Sequence, residues 1–386
     1  MCLVNPISSR LKNATSFNRA LMPMPKLPPW LTLSAALLAG CNESPQPLPA
    51  TTLETAPVGG DTQPAADHPL TASELREKLG ANSNAHFNKV AGKFVGADLT
   101  ESGVSDLTAL QGQPLRNLNL MANPVSDLAA IAGMPLETLQ LKKTQVADLL
   151  PLKGMPLREL DISETPVHDL APLVGMKLGQ LDLSQTQVTS LAPLEGMPLE
   201  QLWFEKAPVE SLAPLTGMPL TTLWCRESKV SDLSPLVGMP LRQLNLCQTG
   251  VTDLSPLKGM TLDTLWLRDT RIGDLTPLLT MNLVSLDLQG TDVIDLDTVS
   301  RLPSLKRLNI ADTPITDLTP LDGMLLERLI FTPSRITAGL DFVRNMPTLR
   351  ELDIEFEGNA PVRSPSTFWA AYEAGEFKPD PPAVVP

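Results

Sequence analysis

Aspartates recur along this 386-residue chain at a spacing that suggests a metal site. Stacked carboxylates could bind Ca²⁺, which takes several oxygen ligands per ion. Two copies of the pattern carry Ser190 and Ser211 instead, and serine caps well but is a poor calcium ligand. Capping of a short turn, such as the one after Asp148, explains the pattern without a metal. We therefore predict no metal site at these aspartates, which are Asp127, Asp148, Asp169, Asp232, Asp253, Asp274, Asp295 and Asp317.

Residue types common in catalysis form no recognisable set. The three histidines, His68, His86 and His168, lie at no catalytic or zinc-binding spacing from cysteine, serine or carboxylate side chains. No glycine-rich phosphate loop opens a helix. The sequence predicts no catalytic residues and no cofactor.

A unit of 21 residues positions the aspartates and the apolar residues. In the copy 136–156, Leu139 and Leu141 are two residues apart and point to one face of a short strand. One coil cannot bury its leucines alone, but stacked coils can. Thr144 ends the strand, where its hydroxyl can bond to backbone, and Gly154 allows a bend with positive φ. Copies begin at Phe94, Leu115, Leu136, Leu157, Leu178, Leu199, Leu220, Leu241, Leu262, Leu283, Leu305, Leu326 and Leu349.

The repeated motifs resemble those of a known class of proteins. Leu-x-x-Leu-x-Leu-x-x-(Thr/Asn)-x-Val resembles the leucine-rich repeat, and Asp-Leu-x-Pro-Leu-x-Gly-Met-Pro resembles the short repeats of bacterial internalin-like proteins. The resemblance covers roughly two-thirds of the chain. It implies an α/β solenoid with a parallel sheet on the concave face, short helical or 3-10 turns on the convex face, and helical caps at both ends. A protein partner fits this resemblance best, although a fold alone does not define a ligand.

Three tryptophans fall in one outward-facing column of the predicted sheet. Adjacent strands are about 4.8 Å apart, so two of the rings would lie side by side and the third two coils away. Two arginines flank them and a glutamate lies close. Because Trp and Arg are enriched at binding hot spots, and apolar patches rimmed by charge mark interaction sites, we predict a ligand-binding site here. Its residues are Trp203, Trp224, Trp266, Arg226, Arg268 and Glu205.

Two other interpretations of the tryptophans stay open. The rings could lie flat and shield the sheet without binding anything. They could also stack on sugar rings, with Asp161, Asp182, Gln201, Gln243 and Asn245 as partners for hydroxyl groups. In each case the tryptophan column, and the column two residues further on, is expected to face solvent.

Two cysteines fall within the repeats. Cys225 takes an inward position that leucine fills in later copies, whereas Cys247 takes an outward one. Opposite faces make a disulfide between them geometrically unfavourable. Cys247 is therefore predicted to be a free, partly exposed thiol.

The charge and the first 41 residues bear on location. A formal net charge of −13 opposes nucleic-acid binding, which needs a basic surface. Residues 1–40 carry four basic residues, no acids and a short apolar run, as a signal peptide does. Leu38-Ala39-Gly40-Cys41 resembles the bacterial lipobox, which implies cleavage before Cys41 and acylation of its thiol. A plain secretory signal or a short membrane anchor is the alternative, and Met22 or Met24 could be the true start.

The rest of the chain divides by composition. Residues 41–70 are rich in Pro, Thr and Ala and are predicted to be a flexible tether. Residues 71–93 would cap the first repeat, with Thr71 and Glu74 forming a capping box and with Phe87 and Val90 covering the core. The solenoid would span 94–361, a helical cap 362–377 and a disordered tail 378–386.

Together these features predict a non-enzymatic lipoprotein of the bacterial envelope, periplasmic or at the cell surface. It would be held at the membrane by acylated Cys41 and would bind a protein partner on the concave face. A glycan-binding or cell-wall-binding module that uses the three tryptophans, and a structural spacer, are the alternatives.

Overall fold

The computed structural model describes residues 70–279, 281–356 and 362–377. Within these ranges, residues 70–354 and 363–377 belong to one compact unit, which holds all the repeats up to residue 354. The predictions for the signal segment, for Cys41, for most of the tether and for the tail 378–386 lie outside the described residues.

Within the described residues, fourteen strands form one open sheet in which each strand pairs with its neighbours in sequence. The strands β1 (His86–Val90) and β2 (Lys93–Asp98) are antiparallel, and every later pairing is parallel. The α/β solenoid with a parallel sheet is therefore confirmed. The other strands are β3 (Asn117–Asn119), β4 (Thr138–Gln140), β5 (Glu159–Asp161), β6 (Gln180–Asp182), β7 (Gln201–Trp203), β8 (Thr222–Trp224), β9 (Gln243–Asn245), β10 (Thr264–Trp266), β11 (Ser285–Asp287), β12 (Arg307–Asn309), β13 (Arg328–Ile330) and β14 (Glu351–Asp353).

The core lies between the sheet and the returning side of each coil. Leu139 and Leu141 are fully buried from the strand side, and Leu152 and Met155 meet them from the returning side. Equivalent residues pair in register, so that Leu139 faces Leu160 of the next coil. This register makes one continuous apolar column, because each coil covers the leucines of the one before it.

The returning side of most coils is a single turn of 3-10 helix, as in Leu150–Leu152. The backbone N–H of Leu150 donates to Asp148 Oδ1 at 2.8 Å, one residue ahead of the usual cap position. Ser190 and Ser211 accept the equivalent bond at 3.3 Å. The aspartates thus stabilise the start of the turns as predicted, but through a bond to the residue two positions on and not as the N-cap residue, which is the leucine that follows, such as Leu149. The other turns of this kind are Thr108–Leu110, Ala129–Ile131, Ala171–Leu173, Ala192–Leu194, Ala213–Leu215, Ser234–Leu236, Ser255–Leu257, Thr276–Leu278, Val299–Arg301 and Thr319–Leu321, whereas the 3-10 turn Pro333–Arg335 lies at the bend directly after its strand.

Two bends join the strand to the returning side. After the strand, Thr144 Oγ1 donates to the Leu141 carbonyl oxygen at 2.7 Å, as predicted. Just before it, Lys143 takes a left-handed conformation with φ 57°, which the sequence did not indicate. At the other bend, Gly154 has φ 75°, a conformation that glycine adopts without steric cost.

Helices cover both ends of the sheet. In α1 (Ala72–Lys78), Thr71 and Glu74 form the predicted capping box, and Leu75 is fully buried. The prediction that Val90 covers the core is wrong: its strand turns back as a hairpin on β2, which leaves Val90 63% exposed. At the other end, α2 (Leu340–Arg344) precedes β14 and α3 (Pro365–Ala374) follows it. Ser364 caps α3 by accepting from the Thr367 N–H, and buried Phe368 packs into the core.

Candidate functional site on the outer sheet face

The outer sheet face is the side of the sheet that carries the first and last residue of each three-residue strand. Leu202, Leu223 and Leu265, the middle residues of β7, β8 and β10, point inward and are fully buried. The flanking residues must then point outward, because side chains alternate along a strand. Trp203 and Trp224 are therefore register neighbours, and only Asn245 separates Trp224 from Trp266.

The three indoles meet edge to face. The ring centroids of Trp203 and Trp224 are 6.3 Å apart, with an angle of 84° between the ring planes. Those of Trp224 and Trp266 are 5.8 Å apart at 74°, because the small Asn245 lets the rings meet across its strand. The predicted side-by-side pair with a separate third ring is thus one continuous cluster. Edge-to-face contact is the arrangement that the charge distribution of aromatic rings favours.

The expectation that both outward columns face solvent is wrong for much of their length. Trp203 and Trp224 are each only 8% exposed, and Trp266 is half-buried. In-register stacking is the cause, because each side chain is flanked on both sides by the same position of the neighbouring coils. Other buried residues of the two columns are Gln140, Asp161, Ser163, Ser184, Cys247, Asp287, Asn309, Ala311, Ile330 and Asp353.

The predicted charged residues lie around the tryptophans and are partly paired. Arg226 Nη2 lies 2.7 Å from Glu227 Oε1 and also donates to Gln248. Arg268 Nη2 lies 3.5 Å from Asp287 Oδ2. Asn245 Nδ2 donates to Glu205 Oε1 at 3.4 Å, which links β9 to the glutamate two coils away. The structure therefore brings all six predicted residues into one neighbourhood.

Some polar atoms of this neighbourhood are buried without a partner. Among the described residues, Trp224 Nε1, Arg268 Nε and Gln180 Oε1 accept or donate no hydrogen bond. A buried polar atom left unsatisfied costs about 1–3 kcal/mol. These polar atoms of the outer sheet face thus have no hydrogen-bond partner within the described part of the chain.

A group of carboxylates lies on the strands beside Trp203. Asp161 and Asp182 are register neighbours on β5 and β6, and Asp182 is the register neighbour of Trp203. Burial, followed by the charge of Asp161, raises the pKa of Asp182 to about 7. Burial also raises the pKa of Asp161 and of Glu205, and the nearby Arg226 only partly opposes this at Glu205. From the sequence, these aspartates were predicted only as hydrogen-bond partners for sugar hydroxyl groups, and their closeness to each other was missed. The repeat register, which places Asp161 and Asp182 on adjacent strands, could have indicated it.

The two repeat cysteines differ from the prediction in one respect. Both are free thiols, and Cys225 is fully buried as expected. Cys247 is only 1% exposed, so the prediction of a partly exposed thiol is wrong. Its small side chain lies between the longer Arg226 and Arg268 of the flanking coils, and burial raises its pKa.

Metal binding and membrane insertion receive no positive indication. Within the described ranges, no three His, Cys, Asp or Glu side chains come together in an arrangement that would hold a metal ion. No helix in the same part of the chain has the length and apolar character to span a bilayer.

Comparison with known proteins identifies the fold. No protein-family description and no curated protein sequence matches this chain. An internalin (InlF) from Listeria monocytogenes superposes with a TM-score of 0.57 at 17% identity, over 74% of this chain and 94% of its own. The ectodomain of the plant receptor kinase GASSHO1/SCHENGEN3 from Arabidopsis thaliana, in complex with Casparian strip integrity factor 2, gives 0.56 at 18% identity, over 77% and 40%. A Leptospira interrogans leucine-rich repeat protein gives 0.50 at 17%, over 73% and 82%. At such identities the likeness is one of fold: this chain is a leucine-rich repeat solenoid.

Proposed function

We propose that this chain is a non-enzymatic lipoprotein of the bacterial envelope that binds a protein partner through its outer sheet face. The observation that carries the proposal is the cluster of Trp203, Trp224 and Trp266 beside Arg226 and Arg268. Large rigid aromatic side chains with arginines nearby are typical of the residues that dominate binding energy. The similar plant receptor ectodomain, solved in complex with Casparian strip integrity factor 2, gives one case in which this fold holds a partner.

The ring geometry favours a protein over a glycan. A sugar ring stacks on the open face of an aromatic ring, whereas Trp203 and Trp224 are almost fully buried and present edges to each other. Protein hot spots, in contrast, are well-packed aromatic residues surrounded by groups that exclude water. The unpartnered Trp224 Nε1 and Arg268 Nε add donors that carbonyl oxygens of a partner would satisfy after a small ring or side-chain movement.

Location at the membrane rests on the sequence before residue 70. The basic segment, the apolar run and the lipobox-like Leu38-Ala39-Gly40-Cys41 support export and acylation of Cys41. Two or three acyl chains hold a protein firmly, whereas one holds it only reversibly. The solenoid would then lie in the periplasm or on the cell surface, joined to its anchor by the tether.

Capture from an envelope extract tests the binding function. The full-length chain in nonionic detergent is compared with Trp266→Gln, which alters the most exposed ring of the cluster. Val237→Gln is the matched control, since Val237 is 63% exposed and lies on the returning side of its coil. We expect a protein retained by the parent and by Val237→Gln and lost from Trp266→Gln.

Other outcomes would contradict the proposal. Retention of the same proteins by all three forms would remove the tryptophan cluster as the site. Retention of polysaccharide alone, with the same dependence on Trp266, would establish the glycan-binding alternative. Circular dichroism of each form checks that the change has not unfolded the solenoid.

A further inference from the structure

Carboxylates that form no ion pair gather on one part of the outer sheet face. Glu159 and Asp161 lie on β5, Asp182 on β6, and Glu205 just after β7. Within the described residues none of the four is paired with a cation, whereas Glu227 and Asp287, beyond Trp224, are paired with arginines. Lys142, and at Glu205 also Arg226 and Lys206, offset this negative charge only from beyond ion-pair distance.

Three of the nearby basic side chains are already engaged, whereas Lys206, next to Glu205, forms no ion pair among the described residues. Lys142 Nζ lies 3.2 Å from Glu164 Oε1, and Lys143 Nζ lies 3.6 Å from the other oxygen of the same carboxylate. Arg226 is bound to Glu227 and Gln248. The hydrogen bonds to the four carboxylates come instead from hydroxyl, side-chain amide and backbone N–H donors, among them those of Ser163 and Asn245.

Burial makes this arrangement costly. Asp161 is 8% exposed and Asp182 is half-buried beside it, so two like charges share a poorly hydrated place. The Gln180 Oε1, on the same strand and the same face as Asp182, is a buried acceptor without a donor. When the carboxylates are ionised, all of these atoms are acceptors, so a partner that binds here must bring hydrogen-bond donors and positive charge.

An aromatic ring lies next to the carboxylates. Trp203 follows Asp182 in register, and its ring adjoins Trp224. A cation over the face of the Trp203 ring would be attracted by the ring as well as by the carboxylates. From β5 to β7 the strands span about 10 Å, which suits one or two long basic side chains on a single stretch of backbone.

We propose that the segment of the protein partner that docks here is basic, and that its Lys or Arg side chains bind between Glu159, Asp161, Asp182 and Glu205 beside Trp203. This inference rests on the proposed function and specifies the partner's chemistry. The paired arginines beyond Trp224 would contact neutral or acidic groups of the same partner. The different charges of the two halves of the face would then determine the orientation in which the partner segment binds.

A peptide titration tests the charge preference without knowledge of the partner. The probe is an N-acetylated, C-amidated peptide of alternating glycine and arginine, with a glycine–glutamate peptide of equal length as its counterpart. Calorimetry at physiological ionic strength compares the full-length parent with Asp161→Asn/Asp182→Asn. Asparagine keeps the oxygen that accepts the Ser163 and Ser184 N–H groups, so the fold is expected to survive.

The matched control is Asp253→Asn/Asp274→Asn, which removes the same charge from the returning side while keeping each capping oxygen. We expect the arginine peptide to bind the parent and the control alike, and to bind Asp161→Asn/Asp182→Asn about tenfold more weakly or worse, the loss typical of charge-assisted hydrogen bonds. The glutamate peptide should bind none of them.

Three results would overturn the inference: no binding of the arginine peptide to the parent, equal weakening in both double variants, or no weakening in either. The capture experiment keeps the two proposals apart. A partner that depends on Trp266 but is held equally well by Asp161→Asn/Asp182→Asn would leave the binding function standing and remove its basic character.

Discussion

At the scale of single residues, Asp182 is a carboxylate of the outer sheet face whose pKa is strongly raised. It accepts the Ser184 N–H at 2.9 Å, and its carboxylate is crowded by Asp161 on the adjacent strand. Burial first, and the Asp161 charge second, raise its pKa to about 7. The folded chain thus holds a proton that the unfolded chain, with a carboxyl pKa near 3.8, has already released between these two pH values.

The sign of the resulting pH dependence follows from that difference. Because the folded pKa is the higher one, the contribution of Asp182 to stability is fully present below about pH 4 and is lost as pH rises through about 7. Asp182→Asn removes this loss. Between pH 4 and pH 8, the free energy of unfolding of the variant should therefore rise relative to that of the parent by on the order of 1–2 kcal/mol. This is less than the full pKa shift of Asp182 would give, because water reaches its half-buried carboxyl group.

Urea denaturation at several pH values measures this difference. A difference in the free energy of unfolding between variant and parent that stays constant from pH 4 to pH 8 would contradict the prediction. Asp253→Asn serves as the control, because hydrogen bonds from Ser255 lower the pKa of Asp253 and its effect should run in the opposite direction.

At the scale of the repeat, each coil is held by a few recurring bonds rather than by long helices or strands. The strands have three residues, and the returning side is one turn of 3-10 helix. Between them lies a left-handed residue, such as Lys143 or Glu164, and Gly290 takes the same place in one coil. A non-glycine residue tolerates this conformation because threonine bonds and the stacked coils fix the backbone on both sides.

The capping aspartates give a prediction at this scale. Asp148→Ala should lower the free energy of unfolding by about 1 kcal/mol, the usual value of an N-cap bond, whereas Asp148→Asn should leave it nearly unchanged. Thermal unfolding with added calcium or with a chelator separates this role from metal binding. A shift of the midpoint with calcium, abolished by Asp148→Asn, would contradict the capping interpretation.

At the scale of the whole molecule, charge and attachment define which partners can approach. The net charge of −13 belongs to the entire chain, and the basic residues of segment 1–40 leave with the signal if cleavage follows the lipobox-like sequence. The remaining acidic body would be repelled by anionic lipid, so the anchor alone would hold it at the membrane. A basic partner, in contrast, would be attracted from a distance.

Attachment through Cys41 is tested in cells. Cys41→Ala should abolish labelling by a radioactive fatty acid and move the protein from the membrane fraction to the soluble one. Cys2→Ala is the matched control and should change neither. Membrane attachment that survives Cys41→Ala would show that the anchor is something other than an acylated cysteine.

The sequence by itself determined the repeat, its strand and turn positions, the aspartates that stabilise the turns and the helical cap within residues 362–377. These are local features, because the 21-residue spacing and the turn residues act within one coil or between identical neighbours. Only the tertiary structure decided which outward residues remain exposed, and why Cys247 is covered and three indoles form one cluster. Such properties depend on the different side chains that adjacent coils bring to one place, and no single repeat contains that information.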